Sequence, residues 1–130
     1  MGKNRYLIDT NILIYHFADA IPEEEIEKIK NIFKVSFAIS VVSKIEFLGW
    51  EKHTDEGYRS AEEFIQHAKV ININKKIADK TIELRRKHSI KLPDALIAAT
   101  ALTQHLTLIT RNDEDFKNMN LKIYNPFRLI

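Results

Sequence analysis

Short apolar runs alternate with amphipathic stretches along the chain, and this alternation predicts an α/β architecture. Residues 6–8, 36–40, 107–110 and 121–124 form apolar runs typical of buried strands, and 70–73 is either a strand or an extended link. Between the runs, apolar residues recur every three or four positions, as on one face of a helix. Strands that alternate with helices favour a mostly parallel sheet covered on both faces, a three-layer α/β/α fold.

Capping residues and prolines mark where the predicted helices begin. The first helix is predicted over residues 12–18, and the second begins at Pro22, which suits a first helical turn. A third helix is capped by Ser40 or Ser43 and runs to about His53. Helical spacing assigns the following residues to inner faces: Val42 and Ile45 in the third helix, and Ile77, Ala78, Thr81, Ile82 and Leu84 in a later helix that begins near Asn74.

Composition and charge set only broad limits. The chain has 130 residues, 45% of them hydrophobic and 29% charged, as expected for one globular domain spanning residues 1–130. A balance of 20 basic against 18 acidic residues neither indicates nor excludes a polyanionic partner. Cysteine is absent, which excludes disulfides and thiolate sites, and no apolar run approaches the roughly 20 residues of a membrane span. A cytoplasmic protein without a membrane partner is expected.

Acidic residues follow the predicted strands where the chain turns into a helix. Asp9 follows the first strand, Glu46 lies in the third helix, and Asp94 comes directly after Pro93 in the first turn of a buried helix. A further acidic group follows Thr110. Each acid alone is explained by helix capping or by a solvated helix face. Parallel strands, however, bring their carboxyl ends to one edge of the sheet, so these acids are expected to converge there.

Converging carboxylates predict a metal site. Like charges repel one another and need a cation to remain ionised together. Oxygen ligands without histidine or cysteine suit a hard ion, Mg²⁺ or Mn²⁺. Such an ion polarises a phosphodiester and activates water. The acids therefore predict metal-dependent phosphodiester hydrolysis.

A basic cluster precedes Asp94 in the sequence. Cations at a helix C-terminus complement the helix dipole, which is a sufficient structural explanation for the cluster. The same charges would also suit a phosphate backbone, and the sequence leaves both interpretations open. Its members, as candidate RNA-binding residues, are Arg85, Arg86, Lys87 and Lys91, with His88 between them.

Four blocks of the sequence together resemble the PIN domain family. They are residues 7–11 (Leu-Ile-Asp-Thr-Asn), 43–46, 92–95 (Leu-Pro-Asp-Ala) and 108–116, which begins Leu-Ile-Thr-Arg-Asn and ends Asp-Phe. The blocks run in order along the whole chain, and the stretch Pro-Asp-Ala-x-Ile-Ala-Ala-Thr-Ala is similar in particular to the VapC toxins of toxin–antitoxin pairs. A single Asp-Thr-Asn is a weak signal, whereas four blocks at these spacings are specific.

The resemblance implies roles for individual residues. Asp9, Glu46 and Asp94 match the family's three acidic metal ligands and are the expected catalytic acids. Supporting polar positions of the family match the following residues: Thr10 or Asn11, Ser43 and Thr110.

The family's fourth acid departs from the pattern here. It often stands two residues after the threonine, where this chain has Asn112. Asp113 and Asp115 are the expected substitutes, Asp113 as a further metal ligand and Asp115, with Asn112, as part of the catalytic set.

The resemblance also implies an activity and partners. It implies a Mg²⁺- or Mn²⁺-dependent endoribonuclease toxin that cleaves structured RNA such as tRNA or ribosomal RNA, forms a homodimer and is neutralised by a cognate antitoxin. One alternative, a phosphatase that works through an aspartyl phosphate, requires a second aspartate where this chain has Asn11. The other is a PIN-like RNA-binding module that has lost its chemistry, which is favoured only by Asn112.

Overall fold

The protein forms an all-parallel sheet flanked by helices, and the computed structural model describes residues 5–127. Residues 1–4 and 128–130 of the predicted domain lie outside that range. The sheet has the spatial order β3-β2-β1-β4-β5 within the described residues. Its strands are β1 (Tyr6–Ile8), β2 (Ala38–Ser40), β3 (Lys69–Ile71), β4 (Thr107–Ile109) and β5 (Ile123–Tyr124).

Six α-helices connect or follow these strands in the described part of the chain. They are α1 (Thr10–Phe17), α2 (Ile26–Val35), α3 (Val41–Leu48), α4 (Asp55–Ile65), α5 (Lys75–Lys87) and α6 (Leu92–Gln104). Two short 3₁₀ turns, Glu23–Glu25 and Asp113–Phe116, precede α2 and follow β4. None of the helices within residues 5–127 is long and apolar enough to cross a membrane.

Neighbouring residues of each inner strand enter opposite cores, which confirms the three-layer α/β/α prediction. In β1, Leu7 packs with the buried residues of α5 and α6, whereas Ile8 packs with those of α1 to α4. The same alternation separates Leu108 from Ile109 in β4. Side chains of a strand point alternately to the two faces of its sheet, so helices must cover both.

The site's position follows from strand β1. It pairs in parallel with β2 on one side and with β4 on the other, so the strand order reverses around it. In open parallel sheets such a reversal leaves a crevice beyond the carboxyl ends of the strands. The segments that leave β1, β2 and β4 therefore meet at one edge, and the candidate acids lie in and around them.

Three helices differ from their predicted form. Helix α2 begins at Ile26 rather than at Pro22, because the 3₁₀ turn Glu23–Glu25 comes first. Helix α1 begins at Thr10 rather than residue 12, because Asp9 already acts as its N-terminal cap. Helix α3 ends at Leu48 rather than near His53, and Gly49 donates its N–H to the Ile45 carbonyl as the C-terminal cap.

Two residues assigned to inner faces are exposed. Ile45 is 65% exposed, because the buried face of α3 is centred on Ser43 and Phe47. Ile82 is 60% exposed, because Thr81 takes the inner position, where its hydroxyl donates to the Ile77 carbonyl at 2.7 Å. In both helices a small hydroxyl residue is buried in place of an isoleucine.

Candidate active site

Asp9 lies at the end of β1 with only 4% of its surface exposed. Its N–H donates to the Ile109 carbonyl at 2.9 Å and extends the β1–β4 pairing by one residue. Its Oδ1 accepts from the Thr10 N–H at 2.8 Å, so the side chain caps α1. The Asp9 carboxylate therefore caps a helix and also faces the edge of the sheet where the acids are predicted to meet.

A hydrogen-bond network fixes the second oxygen of Asp9. The Thr110 hydroxyl donates to Oδ2 at 2.7 Å, and the Asn11 amide donates to the same oxygen at 3.2 Å. Thr110 in turn accepts from the Asn112 N–H at 3.0 Å, and Asn11 Oδ1 accepts from the Arg111 N–H at 3.1 Å. We call Asp9, Asn11 and Thr110 the locked side of the site, because each is held by at least two of these bonds.

Glu46 reaches the site from the exposed surface of α3. Thr10 donates its hydroxyl to Glu46 Oε1 at 2.6 Å, and the Ser43 hydroxyl lies 2.9 Å from that of Thr10. Ser43 is fully buried and forms the link between α3 and α1. The sequence offered Thr10 or Asn11 as a supporting residue, and the structure uses both, Thr10 toward Glu46 and Asn11 toward Asp9.

Asp94 enters from the first turn of α6 and is half-buried. Burial raises the pKa of its carboxyl, and the charges of Asp115 and Glu46 raise it further, while Lys91 acts in the opposite direction. These charges act on Asp94 only because the residues lie near it. We call Glu46, Asp94 and Asp115 the open side of the site.

The two sides form one electrostatic unit. Burial raises the pKa of Asp9 from 3.8 to about 6, and the charges of Asp94 and Glu46 contribute to the increase. Hydrogen bonds from Thr110 and the Thr10 N–H oppose it, because they stabilise the ionised form. Asp9 at the start of α1, Glu46 in the second turn of α3, Asp94 in the first turn of α6 and Asp115 after β4 therefore lie near enough to influence one another's ionisation.

The segment after Thr110 separates the three candidates for the fourth acidic position. Asp115 acts on Asp94 through its charge. Asp113 lies toward the chain's end instead, where its Oδ1 accepts from Asn125 at 3.4 Å. Asn112 is exposed and contacts the site through its backbone N–H. Of the three residues, Asp115 is the one whose charge acts on Asp94, which is why it is counted with the open side.

The donor set has the chemistry of a hard-cation site. Its side-chain groups are carboxylate oxygens, with hydroxyl and amide groups behind them and neither histidine nor cysteine among the residues named. Within residues 5–127, no three His, Cys, Asp or Glu side chains stand close enough together to hold a metal ion. The oxygen donors present fit Mg²⁺ or Mn²⁺ by their chemistry.

The basic cluster at the end of α5 divides into two parts. Lys87 lies 3.3 Å from Glu83 in an exposed ion pair, and Arg85 and Arg86 are exposed on the same helix end. Lys91 is also exposed, and its charge lowers the pKa of Asp94, so this cation stands at the rim of the acidic site. The structure thus brings one member of the cluster to the carboxylates.

Comparisons with known proteins agree with this geometry. A family model described as the PIN domain matches residues 6–122. A chain of a toxin–antitoxin complex from Klebsiella pneumoniae is 31% identical, with a TM-score of 0.76, and the match covers 95% of this chain and 99% of that one. A chain of DNA-bound VapBC from Salmonella typhimurium is 25% identical, with a TM-score of 0.80 and the same coverage. Among curated proteins, none matches the chain.

Proposed function

The chain belongs to the PIN domain family, and from that premise we propose that it is a divalent-metal-dependent endoribonuclease, the toxin of a toxin–antitoxin pair. PIN domains are generally nucleases. The observation that carries the proposal for this chain is the convergence of Asp9, Glu46 and Asp94 at one sheet edge, expressed in the raised pKa values of the two aspartates. Carboxylates gathered in this way are stable together when they share a cation.

Each residue of the site has a distinct part in the proposed reaction. Asp9, Glu46, Asp94 and Asp115 would hold the ion, which when bound supplies Lewis acidity to a phosphodiester. Thr110 and Asn11 orient the Asp9 carboxylate before any ligand arrives. Thr10 holds one oxygen of Glu46 and leaves the other available.

We assign the substrate to the structured RNAs, tRNA or ribosomal RNA, and the protein to the cytoplasm. The Klebsiella chain that shares 31% identity was solved in a toxin–antitoxin complex, and a toxin of such a pair must act on a target inside the cell. Lys91 supports a nucleic-acid substrate, because a cation at the rim offsets the repulsion between the carboxylates and a phosphate backbone. Arg85, Arg86 and Lys87 would extend that contact along the end of α5.

A non-catalytic RNA-binding module is the less favoured proposal. Its support is Asn112 at the position where the family often has an acid. Asp115 lies near Asp94 and provides a carboxylate on the same side, which favours retained chemistry.

An antitoxin partner follows from the Klebsiella complex and from a groove beside α1. The groove is lined by the apolar residues Ile21, Ile26 and Ile29 and by the polar residues His16, Asp19 and Lys30. An apolar segment of the partner would occupy it, since Ile26 is partly exposed in its lining and the polar groups supply orientation. Co-purification with the product of an adjacent small reading frame tests the assignment.

A homodimer is proposed from apolar side chains close to the acids. Ile45 precedes Glu46, and Leu92, which is 50% exposed, lies two residues before Asp94. A second copy that covers these residues would place two acidic sites near one another. Light scattering at tens of micromolar protein should give twice the monomer mass, and a strictly monomeric protein would contradict the dimer.

Cleavage of RNA by the purified protein tests the proposed function directly. Total RNA should be cut at defined positions with Mg²⁺ or Mn²⁺ and left intact with EDTA, and end mapping after brief expression should give the same positions. Asp94→Asn serves as the inactive control. Absence of any metal-dependent cleavage by the wild-type protein, freed from its antitoxin, would overturn the proposal.

A further inference from the structure

An exposed tryptophan follows the helix that carries Glu46. Trp50, the only tryptophan of the chain, comes directly after the C-terminal cap of α3 and is 44% exposed. It stands four residues after Glu46, and four helical residues rise by about 6 Å, so the backbone at Trp50 lies roughly one turn beyond Glu46, just past the end of α3 at Leu48. A large apolar ring is therefore exposed directly after the helix that carries Glu46.

The backbone before Trp50 is fixed. Gly49 donates its N–H to the Ile45 carbonyl at 2.8 Å, and a Cβ at position 49 would lie only 2.6 Å from that same oxygen. Any other residue at position 49 would push the chain away from α3. The tight cap thus determines where Trp50 leaves the helix.

The indole ring itself is supported from one side by His53. The two rings meet edge to face, with centroids 5.1 Å apart and planes at 89°. His53 is anchored in turn, since its Nε2 lies 2.8 Å from the Phe47 carbonyl and its N–H donates to the Trp50 carbonyl at 3.3 Å. A ring held in this way loses little conformational freedom when a ligand stacks on it.

We propose that Trp50 is a stacking platform for an unpaired base of the RNA substrate, close to the nucleotide whose phosphodiester enters the acidic site. The inference rests on the proposed ribonuclease function and deepens it. An acidic site repels a polyanionic backbone. The face of a base carries no net charge, and any of the four bases can stack on an aromatic ring. Stacking beside Glu46 would therefore hold the strand where charge attraction is weakest.

A direct binding measurement tests the platform, because Trp50 is the protein's only indole fluorophore. Full-length protein carrying Asp94→Asn, which binds without cutting, is titrated with a single-stranded RNA oligonucleotide. Stacking should quench the indole fluorescence as the RNA saturates the protein. Unchanged fluorescence at saturation would overturn the proposal.

Substitutions measure how much binding the ring supplies. In the Asp94→Asn background, Trp50→Leu should weaken RNA binding by about 10-fold or more, because a stacked base contributes that much. Trp50→Phe should retain most of the affinity, since it keeps a ring. Tyr58→Leu is the matched control, since Tyr58 is a similarly exposed aromatic that also contacts His53 and should leave binding unchanged.

A substrate lacking one base completes the test. Replacing the stacked nucleotide with an abasic one should cost the Trp50-containing protein about the same factor as Trp50→Leu, with no further loss when both changes are combined. Equal RNA affinity of Trp50→Leu with loss of antitoxin binding would overturn the proposal and make the patch a protein contact. Cleavage by the wild type is scored separately, so the platform can fail while the ribonuclease function stands.

Discussion

The locked and open sides of the site hold their carboxylates in different ways. On the locked side, Asp9 is buried and accepts three hydrogen bonds, from Thr10, Asn11 and Thr110. On the open side, none of the hydrogen bonds within the described residues involves the side chain of Asp94 or Asp115. Asp9 is therefore oriented by three hydrogen bonds and Glu46 by one, whereas Asp94 and Asp115 are positioned mainly by the helix and the turn that carry them.

This difference explains why the acids interact through their charges although they do not form a ready-made metal site. The charges of the acids raise the pKa values of Asp9 and Asp94. Among the described residues, however, no three acidic side chains stand close enough together to hold an ion. A cation would recruit Asp94 and Asp115 toward the fixed Asp9, because the open side forms few bonds that must be broken first. We therefore expect Asp9 to be the fixed point of the proposed site and Asp94 and Asp115 to move when a cation binds.

The largest expected effect comes from removing a charge on the open side. Asp94→Asn should reduce metal-dependent RNA cleavage by at least about 100-fold, since loss of groups that merely support a metal ligand costs 10- to 100-fold. Stability without metal should not fall, because Asp94 is half-buried and its charge raises the pKa of Asp9. The matched control is Asp79→Asn, which removes an exposed acid that pairs with Lys75 on α5. Full activity of Asp94→Asn would show that the acids are not one site.

The pH dependence of stability isolates the locked side. Because the folded pKa of Asp9 is about 6 and its ordinary value 3.8, the folded protein keeps a proton that the unfolded chain loses between these values. The metal-free free energy of unfolding should therefore contain a contribution of roughly 3 kcal/mol that is present below pH 4 and lost as pH rises through about 6.

Urea unfolding between pH 4.5 and 7.5 measures this contribution as the difference in slope between wild type and Asp9→Asn. The amide cannot accept every bond that Asp9 accepts, but that cost is independent of pH and does not affect the slope. Excess Mn²⁺ should flatten the wild-type slope, since a bound cation favours the ionised form. Identical slopes in both proteins without metal would contradict the raised pKa.

Thr110→Val breaks the locked network while it nearly keeps the side-chain volume. Thr110 is fully buried, and without its hydroxyl Asp9 loses a donor and the Asn112 N–H loses an acceptor. Unfolding experiments should show a loss of about 1–3 kcal/mol, the cost of leaving buried polar groups unsatisfied. Thr110→Ser retains the hydroxyl and should recover most of that loss. If the Thr110→Val protein were as stable as the Thr110→Ser protein, the Thr110 hydroxyl would not be needed to orient Asp9.

The smallest effects concern the fourth acidic position. Asn112→Asp changes an exposed residue and should alter metal-free stability by no more than about 0.5 kcal/mol. Asp115→Asn should reduce the increase in melting temperature that Mn²⁺ produces, because Asp115 lies near Asp94. Thermal melts of both variants with EDTA and with Mn²⁺ decide between the positions. If Mn²⁺ raised the melting temperature of Asn112→Asp more than that of the wild type, and that of Asp115→Asn as much as that of the wild type, position 112 would be the fourth acidic position.

The sequence predicted the fold best where local hydrophobic patterning alone determines the structure. The strand Tyr6–Ile8 and the order of strands and helices follow from strongly patterned apolar runs, and both are confirmed. The α3 face was wrong at Ile45, because helical spacing counts apolar residues and cannot recognise that Ser43 is buried to reach Thr10. That bond joins residues 33 positions apart and depends on the packing of two helices.

The fourth acid shows the same limit. Asn112, Asp113 and Asp115 are close in sequence, and nothing in their spacing says which one turns toward α6. The 3₁₀ turn Asp113–Phe116 decides it, because Phe116 is buried in the core and thereby fixes the direction of its neighbours. The pattern of acids predicts a site, whereas tertiary packing determines which carboxylate lies near Asp94.

The parallel pairing of β1 with β4 also has a consequence for the time at which the site forms. Asp9 is synthesised well before its partner Thr110, which lies 101 residues later in the chain. Contacts at such separation form late in folding, because a long loop must close before they are gained. A growing chain therefore carries Asp9 through 101 further residues of synthesis without the hydroxyl that holds its second oxygen. Under the proposed function, a nascent chain could not cut RNA until Thr110 had also left the ribosome.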